Sequence, residues 1–240
     1  MRGKEIIDKA LLVVRLILFV AFFSASVMIC MDAWNTWQTV ETCKGLQAIH
    51  KETEQTSPGD WSHGMLALNP DYVGWLTIPG TNIDGPVVQG EDNIEYLRTD
   101  FYGEPASAGT FFMDELVDMG NDGNRMIYGH LMNDGTMFAQ LAKYKGKAFL
   151  EENPYILLET AEGTQYYQVF AGMVVSGTDF PVRSWLTSQT REQEQTMLDT
   201  ISNSAYYYQE NLMSSGPYLF LATCDYQRED GRLVLAARKL

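Results

Sequence analysis

Residues 218–238 read YLFLATCDYQREDGRLVLAAR, in which two apolar runs flank a polar loop. Short apolar runs bounded by Gly, Asp and other turn residues are typical of β-strands. We therefore expect residues 218–224 and 232–238 to pair as a hairpin. Such a hairpin brings Cys224, at the end of the first strand, close to Arg232, at the start of the second.

The same pattern extends back through the chain to Val73. Six further runs are rich in Val, Ile, Tyr, Phe and Thr and are separated by Gly, Pro, Asn or Asp. They are GWLTI (74–78), IDGPVVQ (83–89), TFFMD (110–114), NRMIYGH (124–130), YILLET (155–160) and TQYYQVFAGMVV (164–175). Short strands in this arrangement predict a mostly β fold, either an antiparallel barrel or a sandwich, rather than alternating strands and helices.

Helical patterns precede and interrupt this β-rich region. Residues 33–55 contain few helix breakers, which predicts a helix that ends at the SPGD turn of residues 57–60. An Asp-Gly entry and spaced apolar residues predict a short helix within 133–151. A larger insertion spans about 177–215, in which residues 188–212 open with a capping signal and predict a helix with a polar face.

The N-terminal segment ALLVVRLILFVAFFSASVMICM, residues 10–31, is apolar apart from Arg15. Because a bilayer core about 30 Å thick requires roughly 20 helical residues, this run predicts a single transmembrane helix. Arg2, Lys4 and Lys9 precede it, so the positive-inside rule places that end in the cytoplasm. A cleaved signal peptide is the main alternative.

These boundaries divide the chain into four expected parts. They are a cytoplasmic N-terminus (1–9), a transmembrane anchor (10–31), an N-terminal helix and linker (32–69) and a β-rich domain (70–240).

Composition excludes several classes of function. The chain has 17 Lys and Arg against 31 Asp and Glu, a formal net charge of −14, so nucleic acid is not an expected partner. Three cysteines (30, 43 and 224) and three histidines (50, 63 and 130) form no CxxC, HxxxH or HExxH pattern. The sequence therefore gives no support for a Cys/His zinc site.

Three residues are candidates for nucleophilic chemistry. Cys224 ends a strand-like run, where a rigid sheet can hold a nucleophile near solvent, although free cysteines are often buried hydrophobes. His130 ends another run, so it could exchange a proton with a thiol or simply stabilise a turn. Arg232 could stabilise an oxyanion or act as a solvated charge on an edge strand.

Several motifs resemble those of the sortases, the cell-surface cysteine transpeptidases of mainly Gram-positive bacteria. They are YGH at 128–130, FLATC at 220–224 and RLV at 232–234, together with GWLTIPGTNIDGPVVQ at 74–89 and DNIEYL at 92–97. FLATC differs from the family's TLxTC motif only at Phe220. The resemblance covers nearly all of residues 70–240.

This resemblance implies a role for each of the three candidates. Cys224 matches the family's nucleophile, His130 its catalytic histidine and Arg232 its transition-state arginine. No cofactor is implied.

The subclass that the sequence resembles is class B, which has an N-terminal helix and a long helix between strands six and seven. It implies a closed antiparallel or mixed β-barrel of about eight strands. The residues that match positions lining the peptide groove are Asn93, Leu97, Tyr128, Ala222 and Thr223. Many class B members have Ser at position 222. Asp225, which follows the nucleophile, either contributes to the groove or caps a turn.

The resemblance also implies partners and a location. A membrane-anchored enzyme would cleave an LPxTG- or NPxTN-like sorting signal of exported proteins and transfer them to a peptidoglycan amine. It would be monomeric and single-pass, with its catalytic domain outside the cell. Two alternatives stay open, a pilus-assembling sortase that uses a pilin lysine and an anchored binding domain without catalysis. A papain-like hydrolase fits less well, because its Cys precedes its His in sequence.

Overall fold

The computed structural model describes residues 2–57, 61–178, 181–187, 190–209, 216–225 and 230–240. The chain divides into two compact units, residues 1–41 and 42–240. Helix α1 runs unbroken from Arg2 to Thr56, because no strong helix breaker occurs before Ser57 and Pro58. The expected anchor and the expected N-terminal helix are thus parts of one helix. It is long and apolar enough to cross a membrane, and none of its most apolar window is buried.

The described residues of the second unit form nine strands. They are β1 (Tyr72–Thr77), β2 (Asp84–Val88), β3 (Phe111–Met113), β4 (Arg125–Tyr128), β5 (Tyr155–Thr160), β6 (Gly163–Ser176), β7 (Ala205–Tyr208), β8 (Tyr218–Asp225) and β9 (Gly231–Lys239). Eight of them follow the order β5-β1-β2-β3-β4-β8-β9-β6, and pairing of β5 with β6 closes a barrel. Strand β7 adds to β6 outside this ring.

The barrel is mixed, because the β2–β3 and β4–β8 pairs are parallel and the other pairs are antiparallel. The expected closed barrel of about eight strands is therefore confirmed, and the sandwich is wrong. Each of the eight predicted strands corresponds to one strand of the ring.

Three α-helices follow α1 in the described residues, α2 (Trp61–Leu68), α3 (Lys147–Glu152) and α4 (Arg191–Ser204). Helix α4 lies between β6 and β7, as expected for the large insertion. Thr190 caps it in a capping box with Gln193, so the predicted start signal is confirmed.

Two predicted helices differ in extent from those observed. The helix expected within 133–151 begins only at Phe138, as a 3₁₀ segment (Phe138–Lys145) followed by α3. The residues before it turn back instead, because Leu131 and Met137 form a β-bridge. The helix expected over 188–212 ends at Ser204, because the next residues pair with β6 as β7.

Residues 42–56 of α1 belong to the same unit as the barrel and pack against its outer surface. Leu46 is buried in a cluster with Trp75 of β1, and the His50 ring stacks on the Trp75 indole with ring centroids 4.1 Å apart. The Gln47 Nε2 donates a hydrogen bond to the Asp84 carbonyl, 2.7 Å away. This helical segment is therefore part of the folded domain rather than a free linker.

Candidate active site

Three neighbouring strands bring the candidate residues to one end of the barrel. In the antiparallel β8–β9 pair, Cys224 lies directly opposite Arg232. In the parallel β4–β8 pair, Tyr128 lies opposite Ala222. The Gly129 N–H donates to the Ala222 carbonyl at 3.3 Å, so this register continues past the end of β4. The backbone of His130 is consequently level with that of Cys224.

The expected hairpin of residues 218–224 and 232–238 is thus present. Neighbouring strands lie about 4.8 Å apart, so three adjacent strands carry the three positions within the span of a few side chains. The structure describes Cys224 and Asp225 by their backbone positions in β8. The side chains of both, and all of residues 226–229, lie outside the described part of the chain.

Among the described residues, one backbone contact orients the His130 ring. Its Nε2 lies 2.7 Å from the Leu97 carbonyl oxygen. A carbonyl oxygen only accepts hydrogen bonds, so Nε2 carries a proton and Nδ1 is the nitrogen that can exchange one. The Leu97 backbone therefore fixes both the orientation and the tautomer of the imidazole.

The position directly before His130, Gly129, has no room for a side chain. A Cβ built on Gly129 would lie 2.9 Å from ring atoms of both Phe111 and Phe138, closer than real Cβ atoms approach. The two rings stack with centroids 4.7 Å apart, and they leave no room between them and the backbone. Gly129 thus lets β4 pass under the two rings, which sets the path of the chain at His130.

A buried carboxylate organises the neighbouring surface. The Asp114 side chain is fully buried, and its Oδ2 accepts hydrogen bonds from the Tyr128 hydroxyl at 2.8 Å and the Asn93 Nδ2 at 3.0 Å. Its Oδ1 accepts from the Leu116 N–H at 3.0 Å. Burial, reinforced by the Asp114 charge, raises the pKa of Tyr128 above its usual value, so this phenol stays protonated and donates. Two of the expected groove residues are therefore held by one carboxylate.

The same carboxylate ties down the insertion between β6 and β7. Arg183, in a 3₁₀ segment of that insertion (Val182–Leu186), has its Nε 3.3 Å from Asp114 Oδ2 and its Nη2 2.5 Å from Glu115 Oε1. The hydrogen bond to Glu115 raises the pKa of Arg183 above its usual value. Two residues further on, the Trp185 ring packs on Phe220 of β8 with centroids 5.6 Å apart. The insertion is thus fixed beside β4 and β8.

We expect the Asp114→Asn substitution to disrupt this network. Both Asp114 oxygens accept hydrogen bonds, so an amide NH₂ must face a donor at one of the two positions. One mismatched buried group costs about 1–3 kcal/mol of unfolding free energy. Chemical denaturation measures that loss, and a peptide-cleavage assay should show a higher KM because Asn93 and Tyr128 lose their anchor.

The exposed Asp118→Asn substitution, in the same loop, is the matched control and should leave both quantities near wild type. An Asp114→Asn chain with wild-type stability and wild-type KM would contradict the role given to this carboxylate.

The expected groove residues differ in accessibility. Asn93, Leu97 and Tyr128 are partly exposed, whereas Ala222 and Thr223 are buried in β8. The Thr223 Oγ1 has no hydrogen-bond partner among the described residues.

Arg232 lies at the start of β9 with its guanidinium partly exposed. Its Nη1 donates to the Gly231 carbonyl at 3.0 Å, and its Nη2 is 3.3 Å from Asp230 Oδ1. No cluster of three or more His, Cys, Asp or Glu side chains suited to a metal ion occurs in the described ranges.

Sequence reasoning missed Asp114, Arg183 and Asp230. Asp114 carried a usable signal, because it directly follows an apolar strand in FFMD. Nothing in the pattern around Arg183 or Asp230 distinguishes these residues from ordinary surface charges.

Comparison with known proteins identifies the family of this chain. The Sortase domain family matches residues 76–240. Sortase B of Listeria monocytogenes is 35% identical over 181 residues, covering 72% of each chain, and Sortase B of Staphylococcus aureus is 30% identical over 174 residues, covering 71% of each. A Staphylococcus aureus sortase B–substrate complex superimposes with a TM-score of 0.76 at 26% identity, covering 85% of this chain and 97% of that one. The chain therefore belongs to the sortase family of cysteine transpeptidases and is most similar to sortase B.

Proposed function

We propose that this chain is a membrane-anchored sortase of the B type that attaches exported proteins to peptidoglycan. It cleaves an LPxTG- or NPxTN-like sorting signal through an acyl-enzyme on Cys224 and passes the acyl group to a peptidoglycan amine. The observation that supports it best is the strand register, in which the backbone positions of His130, two residues past β4, Cys224 on β8 and Arg232 on β9 are level. Strand β4 is far from the β8–β9 hairpin in sequence, and the fold alone does not require these residue types at these positions.

In the first half-reaction the Cys224 sulfur attacks the carbonyl carbon of the signal's Thr. The thiol proton passes to His130 Nδ1, a carbon–sulfur bond forms, and Arg232 stabilises the negative charge that develops on the carbonyl oxygen. The carbon–nitrogen bond then breaks, and His130 gives a proton from Nδ1 to the departing amine. The hydrogen bond between Nε2 and the Leu97 carbonyl keeps Nδ1 directed to this task.

In the second half-reaction an incoming amine attacks the thioester. Its nitrogen forms an amide bond, the sulfur leaves as thiolate, and His130 takes up the amine proton. A similar protein, the Staphylococcus aureus sortase B, has been captured with a substrate. In this chain we place the sorting signal along Asn93, Leu97 and Tyr128, which are partly exposed beside the three strands.

The long apolar N-terminal helix supports the proposed membrane anchoring. We assign residues 10–31 to the membrane, with the N-terminus in the cytoplasm and residues 70–240 outside. The exported substrate and the lipid-linked wall precursor both sit at that surface, so tethering raises the effective concentration of each partner.

The His130→Ala substitution tests the proton-transfer role. Positioned acids and bases contribute about 10²–10⁴-fold, so we expect a loss of that order on a sorting peptide. An ester replacing the scissile amide leaves as an alcohol, which needs less help from an acid, so the loss on the ester should be at least about tenfold smaller. Steady-state cleavage of both substrates by the full-length chain in detergent measures this difference.

The His63→Ala substitution in α2 is the histidine control and should retain activity on both substrates. Equal losses on peptide and ester would exclude His130 as the proton donor, and wild-type rates would exclude it from the reaction.

A further inference from the structure

The Arg232 guanidinium occupies a defined seat at the junction of β6 and β9. One side of the seat is Asp230, whose Oδ1 lies 3.3 Å from Arg232 Nη2. The other side is Gly177, the first residue after β6. A Cβ on Gly177 would lie 3.1 Å from Arg232 Cζ, from its Nε and from Asp230 Oδ1. The absence of a side chain at Gly177 thus permits the guanidinium to lie close to the backbone.

The Asp230 carboxylate is itself firmly held. Its Oδ2 accepts hydrogen bonds from the Thr178 N–H at 2.9 Å and from the Thr178 hydroxyl at 2.5 Å. Its backbone carbonyl accepts from the Gly177 N–H at 2.8 Å. The Thr178 hydrogen bond, helped by the nearby Arg232 charge, holds the pKa of the Asp230 carboxyl below its usual value.

The backbone conformation of Asp230 also favours the contact between its carboxylate and Arg232. Asp230 has φ 51°, in the left-handed region that few residues other than glycine adopt and that Asp and Asn tolerate best. The turn directs the carboxylate back toward β6 and Arg232 together. Both partners of the ion pair are well exposed, with 40% and 39% of their side chains accessible, so the pair adds little to stability. A contact that contributes little to stability can still fix the direction of a side chain.

We propose that Asp230 and Gly177 are positioning residues that aim Arg232 during acyl transfer. This inference rests on the proposed function, because it assumes that Arg232 acts on the substrate carbonyl. Catalysis by a fixed charge depends on its orientation before the reaction begins, and a displacement of about 1 Å can cost on the order of 100-fold. The seat also connects Arg232, through Asp230, to Thr178 at the start of the β6–β7 insertion.

Two substitutions disturb the seat from opposite sides. Asp230→Asn keeps the turn, since Asn tolerates the left-handed region, and removes the charge that holds Arg232. Gly177→Ala inserts a methyl group against the guanidinium without backbone strain. In each variant we expect kcat to fall about tenfold or more while KM changes less than about twofold, because substrate binding is untouched. The melting temperature should stay close to that of wild type.

Matched controls exist in the same domain. Asp122→Asn removes the carboxylate that pairs with Lys239, 2.6 Å away, at the other end of β9. Gly123→Ala adds a methyl group where nothing lies within 4 Å. Both controls should keep the wild-type kcat.

A double-mutant cycle separates positioning from a structural role. We measure cleavage by the full-length chain in detergent, using whichever of the LPATG, NPATN and SPATG peptides the wild type cleaves fastest. If Asp230 acts through Arg232, adding Asp230→Asn to an Arg232→Ala chain changes the residual rate less than about twofold. A wild-type kcat in Asp230→Asn, or an equal loss with and without Arg232, would overturn the seat and leave the proposed function standing. Wild-type activity in Arg232→Ala, or no cleavage by the wild type, would overturn the proposed function and the seat with it.

Discussion

Replacing Cys224 with Ala should abolish cleavage and amine transfer. The thiolate forms the covalent bond to the substrate, and the two positions level with Cys224, His130 past the end of β4 and Arg232 on β9, carry no thiol to take its place. Removing a catalytic nucleophile costs about 10⁴–10⁶-fold, so only background hydrolysis should remain. Quantitative chromatography of peptide products measures the loss.

The control is Cys43→Ala, in α1, which should keep full activity. Circular dichroism and the melting temperature should show that the Cys224→Ala chain is folded. A folded Cys224→Ala chain that still transfers the peptide to an amine would contradict the assignment of the nucleophile.

Arg232→Lys should also lose most activity, although the charge is retained. A guanidinium presents a planar fork of donors, whereas an ammonium is a compact point charge on a flexible stem. Losing one donor to a developing oxyanion costs about 10²–10³-fold. We therefore expect a fall in kcat of this order, measured by steady-state cleavage.

Arg98→Lys, at an exposed position, is the matched control and should behave as wild type. If Arg232→Lys kept a kcat within about threefold of wild type, the arginine would be a simple surface charge and not an oxyanion donor.

The sequence predicts the eight strands of the ring because each carries its own apolar run and its own turn residues, whereas the resemblance to the sortases indicated the closed barrel. Strand β7 was not predicted, because Ala205–Tyr208 continues a helical pattern without a break. Only its pairing with β6 makes this segment a strand. Helix α2 was not predicted, because its sequence WSHGMLAL is short and contains a glycine. The turn before Phe138 was predicted as helix. The β-bridge between Leu131 and Met137 overrides the local helical preference there.

The sequence predicts the part of the site whose residues are close together in the chain. Cys224 and Arg232 flank one loop, so a hairpin places them opposite each other. His130 reaches them through the parallel β4–β8 pair, which joins segments that are distant in sequence, so family resemblance and not spacing indicated its place. The contact between the residues that hold the site in place, Asp114 and Arg183, could not be predicted because it depends on the closed barrel. Asp114 and Arg183 meet only because the barrel brings the segment after β3 close to the insertion after β6.

The most direct test of the proposed acyl transfer is intact mass spectrometry of the full-length chain in detergent. The protein is mixed with LPATG, NPATN and SPATG peptides, with and without a small primary amine. We expect one peptide to add the mass of its N-terminal acyl part to Cys224, and the amine to release that mass as a new amide product. A folded wild-type chain that forms no adduct on Cys224 with any peptide, or an adduct that the amine does not discharge, would contradict sortase activity through this thiol.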